Sequence, residues 1–369
     1  MAIKIIQVKS GREKSEFLNF PRKLHKASKD WEGPKIGIDI DLFDANYNPY
    51  LIKSVIKLFI AQTNGKTVGR IAVIVDQNYI NQKKEAVGLI SFFDCFDEQL
   101  VASALFNTAS NWLREQKMVR MAGPIFPSPD IQNGLLIDGF DFDPYHTTAW
   151  NPPYYAKLYE TSNFLKTADY QTWSSFEQQK DEPLIPVSND NTSLRFLSYS
   201  KYGNSKPLPD NIWETVNSVQ SSQKEQRNLN PDELRYYKRS FNRFNKLLQV
   251  SIAMNETKPV GVAIISSYLL PAHMESKNYI FPLNRVKFFM SNVKRKIGRL
   301  QLFQMDKSHS EFNFRRALLA EVINSSRNNK ITVQEISDIR DDDVELQNLL
   351  QKADFQKYKT HRIFQRSLW

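Results

Sequence analysis

The chain has 369 residues, of which 41% are hydrophobic and 12% aromatic, with a net charge of +10 and a single cysteine. That length exceeds what one hydrophobic core supports, so two domains are expected, and the composition excludes a disordered chain. No apolar run approaches the roughly 20 residues needed to span a bilayer, the apolar run in MAIKIIQVKSGREK is too short for a signal peptide, and one cysteine excludes a disulfide framework or a cysteine-rich metal site. A cytoplasmic protein is expected.

The charge is lopsided. Residues 1–180 hold 21 Lys+Arg against 20 Asp+Glu, a net +1, and residues 181–369 hold 29 against 20, a net +9. A basic second half suits an anionic partner such as a phosphorylated cofactor, a nucleic acid or a membrane surface. It equally suits a solubilising surface.

In chain order, residues 12–30 read as a polar helix. IKLFIAQTNGKTVGRIAVIV (56–75) reads as a hairpin about Asn64-Gly65. AVGLISFFDCF (86–96) is an apolar strand. Residues 97–116 form a helix with Leu100, Ala104, Leu105, Ala109 and Trp112 on one face and Asp97 and Glu98 in its first turn. VRMAGPIF is a strand ending at Gly123-Pro124, followed by a long loop to residue 150. NPPYYAKLYETSNF (151–164) is a short helix carrying three tyrosines, leading into a strand near 167–174. Residues 178–193 read as a linker. Helices follow near 210–222 and 231–247, then a strand pair over 247–269, a helical segment at 282–298, a strand at 299–305, a helix at 312–328, a strand at 330–339, a helix at 341–353 and a strand at 356–366.

The halves repeat one another. NGKTVGRIAVI parallels NETKPVGVAII, with Gly69 and Gly261 offset by 192; YETSNFLK parallels LQKADFQK, with Phe164 and Phe355 offset by 191; Ala104 and Ala317 are offset by 213. The sequence reads as a tandem duplication of one α/β unit, 1–180 and 181–369, each a mixed, mostly antiparallel sheet flanked by helices.

This order of elements resembles the GNAT superfamily of acyl-CoA-dependent N-acyltransferases. Tyr159, five residues before Phe164, resembles the family's last block, with Asn163 in place of its glycine. Pro21, Trp31, Asn48-Pro49, Val68-Gly69-Arg70, Phe92-Phe93-Asp94-Cys95, Trp112, Gly123-Pro124, Gly139-Phe140 and Pro153-Tyr154-Tyr155 resemble landmarks of bacterial proteins of similar length built from two such units.

The resemblance implies an acetyl-CoA or acyl-CoA cofactor and an amine acceptor, a small molecule or a peptide. It implies a pyrophosphate loop before the central helix, whose glycines admit the phosphates to backbone N–H groups. In the first half one register puts Asp97, Leu100 and Ala102 there, and another gives Gln99, Ala102 and Ala104. In the second half Asn313 takes a glycine position, with the cations Lys307, Arg315 and Arg316 nearby. Asp97 and Glu98 oppose a pyrophosphate, so the second half is the better site electrostatically. The resemblance further implies Tyr159 as general acid, with packing as the alternative, and Asp94 as a candidate base, with a plain strand-end residue as the alternative. Leu350 replaces that tyrosine in the second half, and Asp343 reads as a helix cap.

The five histidines have no zinc spacing. Two basic aromatic segments, 232–248 and 285–299, suit phosphate contact with base stacking, or simply amphipathic helices. The sequence therefore points to an N-acyltransferase with degenerate cofactor loops. The alternatives are an inactive ligand-binding protein on this fold and a Fem-like aminoacyl-tRNA-dependent transferase. Oligomeric state is left open.

Overall fold

A computed structural model describes residues 2–26, 42–127, 132–142, 148–175, 194–202, 210–221, 229–244, 247–267, 297–309, 311–328 and 332–369. Trp31, the linker at 178–193 and residues 282–296 lie outside the described residues. Two compact units emerge. Unit 1 comprises Met1–Asp169 together with Lys359–Trp369, and unit 2 comprises Tyr170–Tyr358.

The chain runs through β1 (Lys4–Gln7), α1 (Gly11–Leu24), a 3-10 turn (Pro49–Leu51), β2 (Ser54–Thr63), β3 (Lys66–Asp76), α2 (Gln77–Lys83), β4 (Val87–Cys95), α3 (Gln99–Glu115), β5 (Arg120–Gly123), β6 (Leu135–Asp138), α4 (Tyr154–Thr161) and β7 (Leu165–Ser174). It continues through β8 (Leu194–Tyr202), α5 (Asp210–Ser221), α6 (Pro231–Phe244), β9 (Leu247–Asn255), β10 (Lys258–Ser267), β11 (Ile297–Met305), a 3-10 turn (Lys307–His309), α7 (Phe312–Asn328), β12 (Thr332–Arg340), α8 (Val344–Lys352) and β13 (Gln356–Ser367).

In unit 1 the strand order is β1-β2-β3-β4-β5-β13, with β6 also on β13. Only the β4–β5 pair is parallel among the registers of this unit. In unit 2 the order is β7-β12-β11-β10-β9-β8, and β11–β12 is parallel. The duplication is visible in detail. Gly69 lies opposite Cys95 and Gly261 opposite Met305. Each glycine faces the central helix of its unit. A Cβ on Gly69 would meet Leu105 at 2.9 Å, and one on Gly261 would meet Leu318 at 3.1 Å. Asn163 and Asp354 both hold positive φ (63° and 60°). Phe164 N–H then donates to Tyr159 O (3.2 Å) and Phe355 N–H to Leu350 O (3.0 Å). That is one helix-ending motif used twice.

Local chemistry explains most boundaries. Asn64 and Gly65 both take positive φ, as a two-residue hairpin turn requires. Ser10 and Glu13 form a capping box at the start of α1. That helix ends at Leu24, short of the expected residue 30, with His25 as its C-cap. The face of α3 differs from expectation. Val101, Ala102, Leu105, Phe106, Ala109 and Leu113 are buried, whereas Leu100 is 77% exposed. Asp97 and Glu98 precede α3 instead of occupying its first turn, and Glu98 makes no side-chain cap bond. The short strands β1 and β6 and the nine-residue β8 were not expected.

Candidate active site at the end of the fourth strand

The site begins where two parallel strands part. β4 and β5 pair over Val87–Leu89 and Arg120–Ala122. A Cβ on Gly123 would lie 2.4 Å from Ile90 O, so only glycine admits this approach. Ile125 N–H then donates to Ile90 O (2.9 Å), and beyond Ile90 the β4 pairs in register with β3 alone. On this free stretch Phe92 holds φ +49°, and Phe92 and Phe93 together oppose Ile71. That is a β-bulge, a device that re-aims side chains. Phe93 stacks on Phe106 (4.6 Å), and Phe92 packs edge-on with Phe43 (4.8 Å) and Phe126 (5.3 Å).

Asp94 follows the bulge and gathers three side chains. Arg70 Nε donates to Asp94 Oδ2 at 2.7 Å, Tyr155 Oη donates to Oδ1 at 3.0 Å, and His25 Nε2 lies 3.4 Å from Oδ1. Arg70 Nη1 also donates to Phe17 O (2.9 Å). Pro21, four residues on, has no N–H to offer that carbonyl, so the proline inside α1 frees the acceptor that fixes the arginine. His25 is set by the end of α1 and by an edge-on contact with Trp150 (5.2 Å). Burial alone would push the Asp94 carboxyl up. Arg70 and His25 outweigh it and hold it below the usual aspartate range. Burial, and then the charge of Asp94, push the Tyr155 hydroxyl well above the ordinary tyrosine value, so it keeps its proton.

The tyrosines of α4 complete the strand edge. Cys95 N–H donates to Tyr155 Oη (3.2 Å), and Tyr154 Oη donates to Cys95 O (2.8 Å). Two hydroxyls thus satisfy backbone groups that β5 has left. The Asn-Pro-Pro start of the segment aims them. Asn151 accepts from Leu136 N–H (2.7 Å) and donates to Leu136 O (3.0 Å), tying α4 to β6. Tyr159 is placed otherwise. It is fully buried among Phe93, Phe106, Phe164 and Phe364, and its hydroxyl has no hydrogen-bond partner among the described residues. The Cys95 thiol is buried and pushed up by that burial, a packing residue.

The residues expected at the pyrophosphate do not assemble for it. The amide of Gln99 donates to Ser162 Oγ (2.9 Å) and Ser103 Oγ (3.2 Å), stapling α3 to α4. Ala102 is buried and Ala104 half-buried. Asp97 and Glu98 stand at the start of α3, with like charge to a phosphate. In unit 2, Asn313 is exposed, but Arg315 is held bidentately by Asp343, the N-cap of α8. Arg316 is half-buried on α7, and Lys307 opens the adjacent 3-10 turn. Neither helix start fits a CoA pyrophosphate well. Among the described residues no cluster of His, Cys, Asp and Glu could hold a metal ion.

Among the described residues, unit 2 has no copy of the Asp94 cluster. By register Val262 and Gln304 replace Arg70 and Asp94. By the offset of 191, Glu345 and Leu346 replace Tyr154 and Tyr155. His25 and Arg70 escaped the sequence reading as site residues. Pro21 four residues after Phe17 was the one local signal for them.

No family model matches the chain. A bacterial ceramide synthase from Caulobacter vibrioides is 22% identical over 99% of this chain and 98% of its own length. Protein YghO from Escherichia coli is 28% identical over 42% of this chain and 40% of its own. Among solved structures, a tandem GNAT protein from the clavulanic acid biosynthesis pathway, determined without acetyl-CoA, superposes with a TM-score of 0.57 at 9% identity, over 100% of this chain and 99% of that one. A GCN5-related N-acetyltransferase from Sphaerobacter thermophilus gives 0.51 at 9%, over 99% and 96%. The architecture is therefore that of the tandem GNAT acetyltransferases: the chain carries their α/β unit twice. No helix among the described residues is long and apolar enough to cross a membrane.

Proposed function

We propose that the protein is an N-acyltransferase whose chemistry is confined to unit 1. The observation that carries this reading is the Asp94 cluster, buried at the point where β4 and β5 part and without a counterpart among the described residues of unit 2. Asp94, held ionised by Arg70, is a poor base. In this reading it orients His25, which takes the proton of the acceptor amine, while Tyr155 donates its retained proton in a hydrogen bond to Asp94 and fixes that carboxylate. The Cys95 N–H already donates to the Tyr155 hydroxyl, so an acyl carbonyl polarised by it must displace the tyrosine oxygen.

The fold supports acyl-CoA as donor. The helix starts argue against family-type pyrophosphate binding, so donor recognition rests elsewhere in the molecule. For the acceptor, the whole-length likeness to a ceramide synthase supports a long-chain amino alcohol, because a ceramide is the fatty amide of one. The experiment is a transfer assay with acyl-CoAs of increasing chain length and a long-chain amino alcohol, with product detected by mass. The expected result is amide formation that Asp94→Asn abolishes. Transfer that survives Asp94→Asn at the wild-type rate removes the cluster from the mechanism, and no transfer to any amine supports a binding protein.

A further inference from the structure

On another part of unit 1, two arginines stand together without a side-chain carboxylate partner among the described residues. Arg366 of β13 donates to Ser162 O (3.2 Å) and Asn107 Oδ1 (3.3 Å). Arg114 of α3 donates to Leu368 O and to Asn111 Oδ1 (3.0 Å). All four acceptors are neutral, and neither guanidinium forms an ion pair among the described residues. Glu115, the nearest acid along α3, is exposed and pairs with neither. The two cations are close enough to repel: burial first, and then the charge of Arg114, lower the Arg366 value. Lys117, exposed just beyond α3, adds a third positive charge.

The surroundings are apolar. Arg366 lies over the ring of Phe164 (5.9 Å) and Arg114 over Trp369 (5.9 Å). Trp369 is 78% exposed, Leu165 next to Phe164 is 70% exposed, and Val119, whose carbonyl bonds Leu368, is 39% exposed. Unneutralised guanidiniums have the geometry for phosphate oxygens. A free phosphate leaves the exposed tryptophan, leucine and valine unexplained. A lipid surface accounts for both, because phosphates and acyl chains meet there and tryptophan favours that depth.

We propose that the face formed by Arg114, Arg366, Lys117, Trp369, Val119 and Leu165 docks on an anionic phospholipid surface, the arginines taking head-group phosphates and the apolar side chains entering the interface. The inference does not depend on the proposed transferase activity.

Sedimentation of the full chain with phosphatidylglycerol-containing and pure phosphatidylcholine vesicles tests it, with a thermal melt of every variant. Each cation near such a surface is worth about fivefold in partitioning. Arg114→Gln with Arg366→Gln should therefore weaken binding to the anionic vesicles by roughly twenty- to thirtyfold. A charge-matched control on exposed lysines elsewhere, Lys4→Gln with Lys66→Gln, should change it by less than about threefold. Trp369→Ser keeps both arginines and their carbonyl bonds, loses the indole bond to Met118 O (3.3 Å) and should still weaken binding; it covers the case in which the arginine variant fails to fold. Equal losses in patch and control variants overturn the proposal. So does stabilisation by inorganic phosphate that needs Arg114 and Arg366, or a nucleic-acid oligomer that binds this face more tightly than the vesicles.

Discussion

The two units share a backbone down to single hydrogen bonds, yet they place buried charge on different rungs of the same ladder. In unit 1 the ion pair is Arg70–Asp94, at the end of β4 where β5 has gone. The matching pair in unit 2 is Val262 and Gln304. Unit 2 instead buries Arg299 against Glu335 (2.7 Å), with Tyr358 also bonded to Glu335. Arg299 and Glu335 face one another across the parallel strands β11 and β12, where unit 1 has Leu89 opposite Ala122. A buried ion pair is therefore no mark of a site in itself. The pair beside a departed strand has histidine and tyrosine on it, and the strand edge next to it is capped by side-chain hydroxyls instead of a strand. The pair between two joined strands is enclosed.

The largest effect expected from this contrast is on turnover. Asp94→Asn removes the anion that holds His25 and Tyr155, and acyl transfer should fall by about a hundredfold to ten-thousandfold. Gln304→Ala, at the matching position of unit 2, should leave turnover within about twofold. The same substitution probes pH dependence. Folding lowers the Asp94 value, so its contribution to stability is complete at neutral pH. That contribution is lost as pH falls through the folded value, below the usual aspartate range. Acid unfolding followed by circular dichroism should show this segment of the profile flattened in Asp94→Asn.

Next comes stability without chemistry. Glu335→Gln leaves Arg299 buried beside a neutral group and should cost about 3–5 kcal/mol by denaturant titration, while turnover per folded molecule stays unchanged. A comparable loss of turnover would bring unit 2 into the reaction. A smaller contrast separates the paired glycines. Gly69→Ala pushes a methyl toward the Cys95 Cβ at 3.0 Å and Val101 at 3.0 Å, atoms close to the backbone that yield little. Gly261→Ala meets the flexible end of Met305. Overpacking of this kind costs about 1–3 kcal/mol, and the melting point should fall further in Gly69→Ala than in Gly261→Ala.

The smallest effect is Tyr159→Phe. It deletes a buried hydroxyl that has no partner, at the position where unit 2 has Leu350. Turnover should hold and stability should rise by roughly 1 kcal/mol. Tyr155→Phe, by contrast, removes the bond to Asp94 and the acceptor for Cys95 N–H and should slow turnover at least tenfold. A drop of that size in Tyr159→Phe instead would reverse the assignment of the two tyrosines.

These contrasts also show what the sequence made legible. The offsets at Gly69/Gly261 and Phe164/Phe355 were readable because a glycine facing a helix and a left-handed residue before an aromatic are local demands of the backbone. Asp94 was readable as a strand-end acid. Its partners were not, because His25 and Arg70 reach it across separations of 69 and 24 residues, which no periodicity records. Tyr159 stands at a family position and is buried with no hydrogen-bond partner for its hydroxyl among the described residues, whereas Tyr155, one turn earlier, carries the polar contacts. Both spacings lie on one helix face, and only the bulge at Phe92 decides which hydroxyl meets the strand edge.

The assignment of Lys359–Trp369 to unit 1 bears on how the chain is made. β5 obtains its second partner from β13, whose paired residues leave the ribosome after the whole of Tyr170–Tyr358. At roughly 5–20 residues per second, that interval lasts about 10–40 s. Throughout it the nascent first unit exposes the edge of Arg120–Gly123, and the half that carries the candidate active site is the last to be finished.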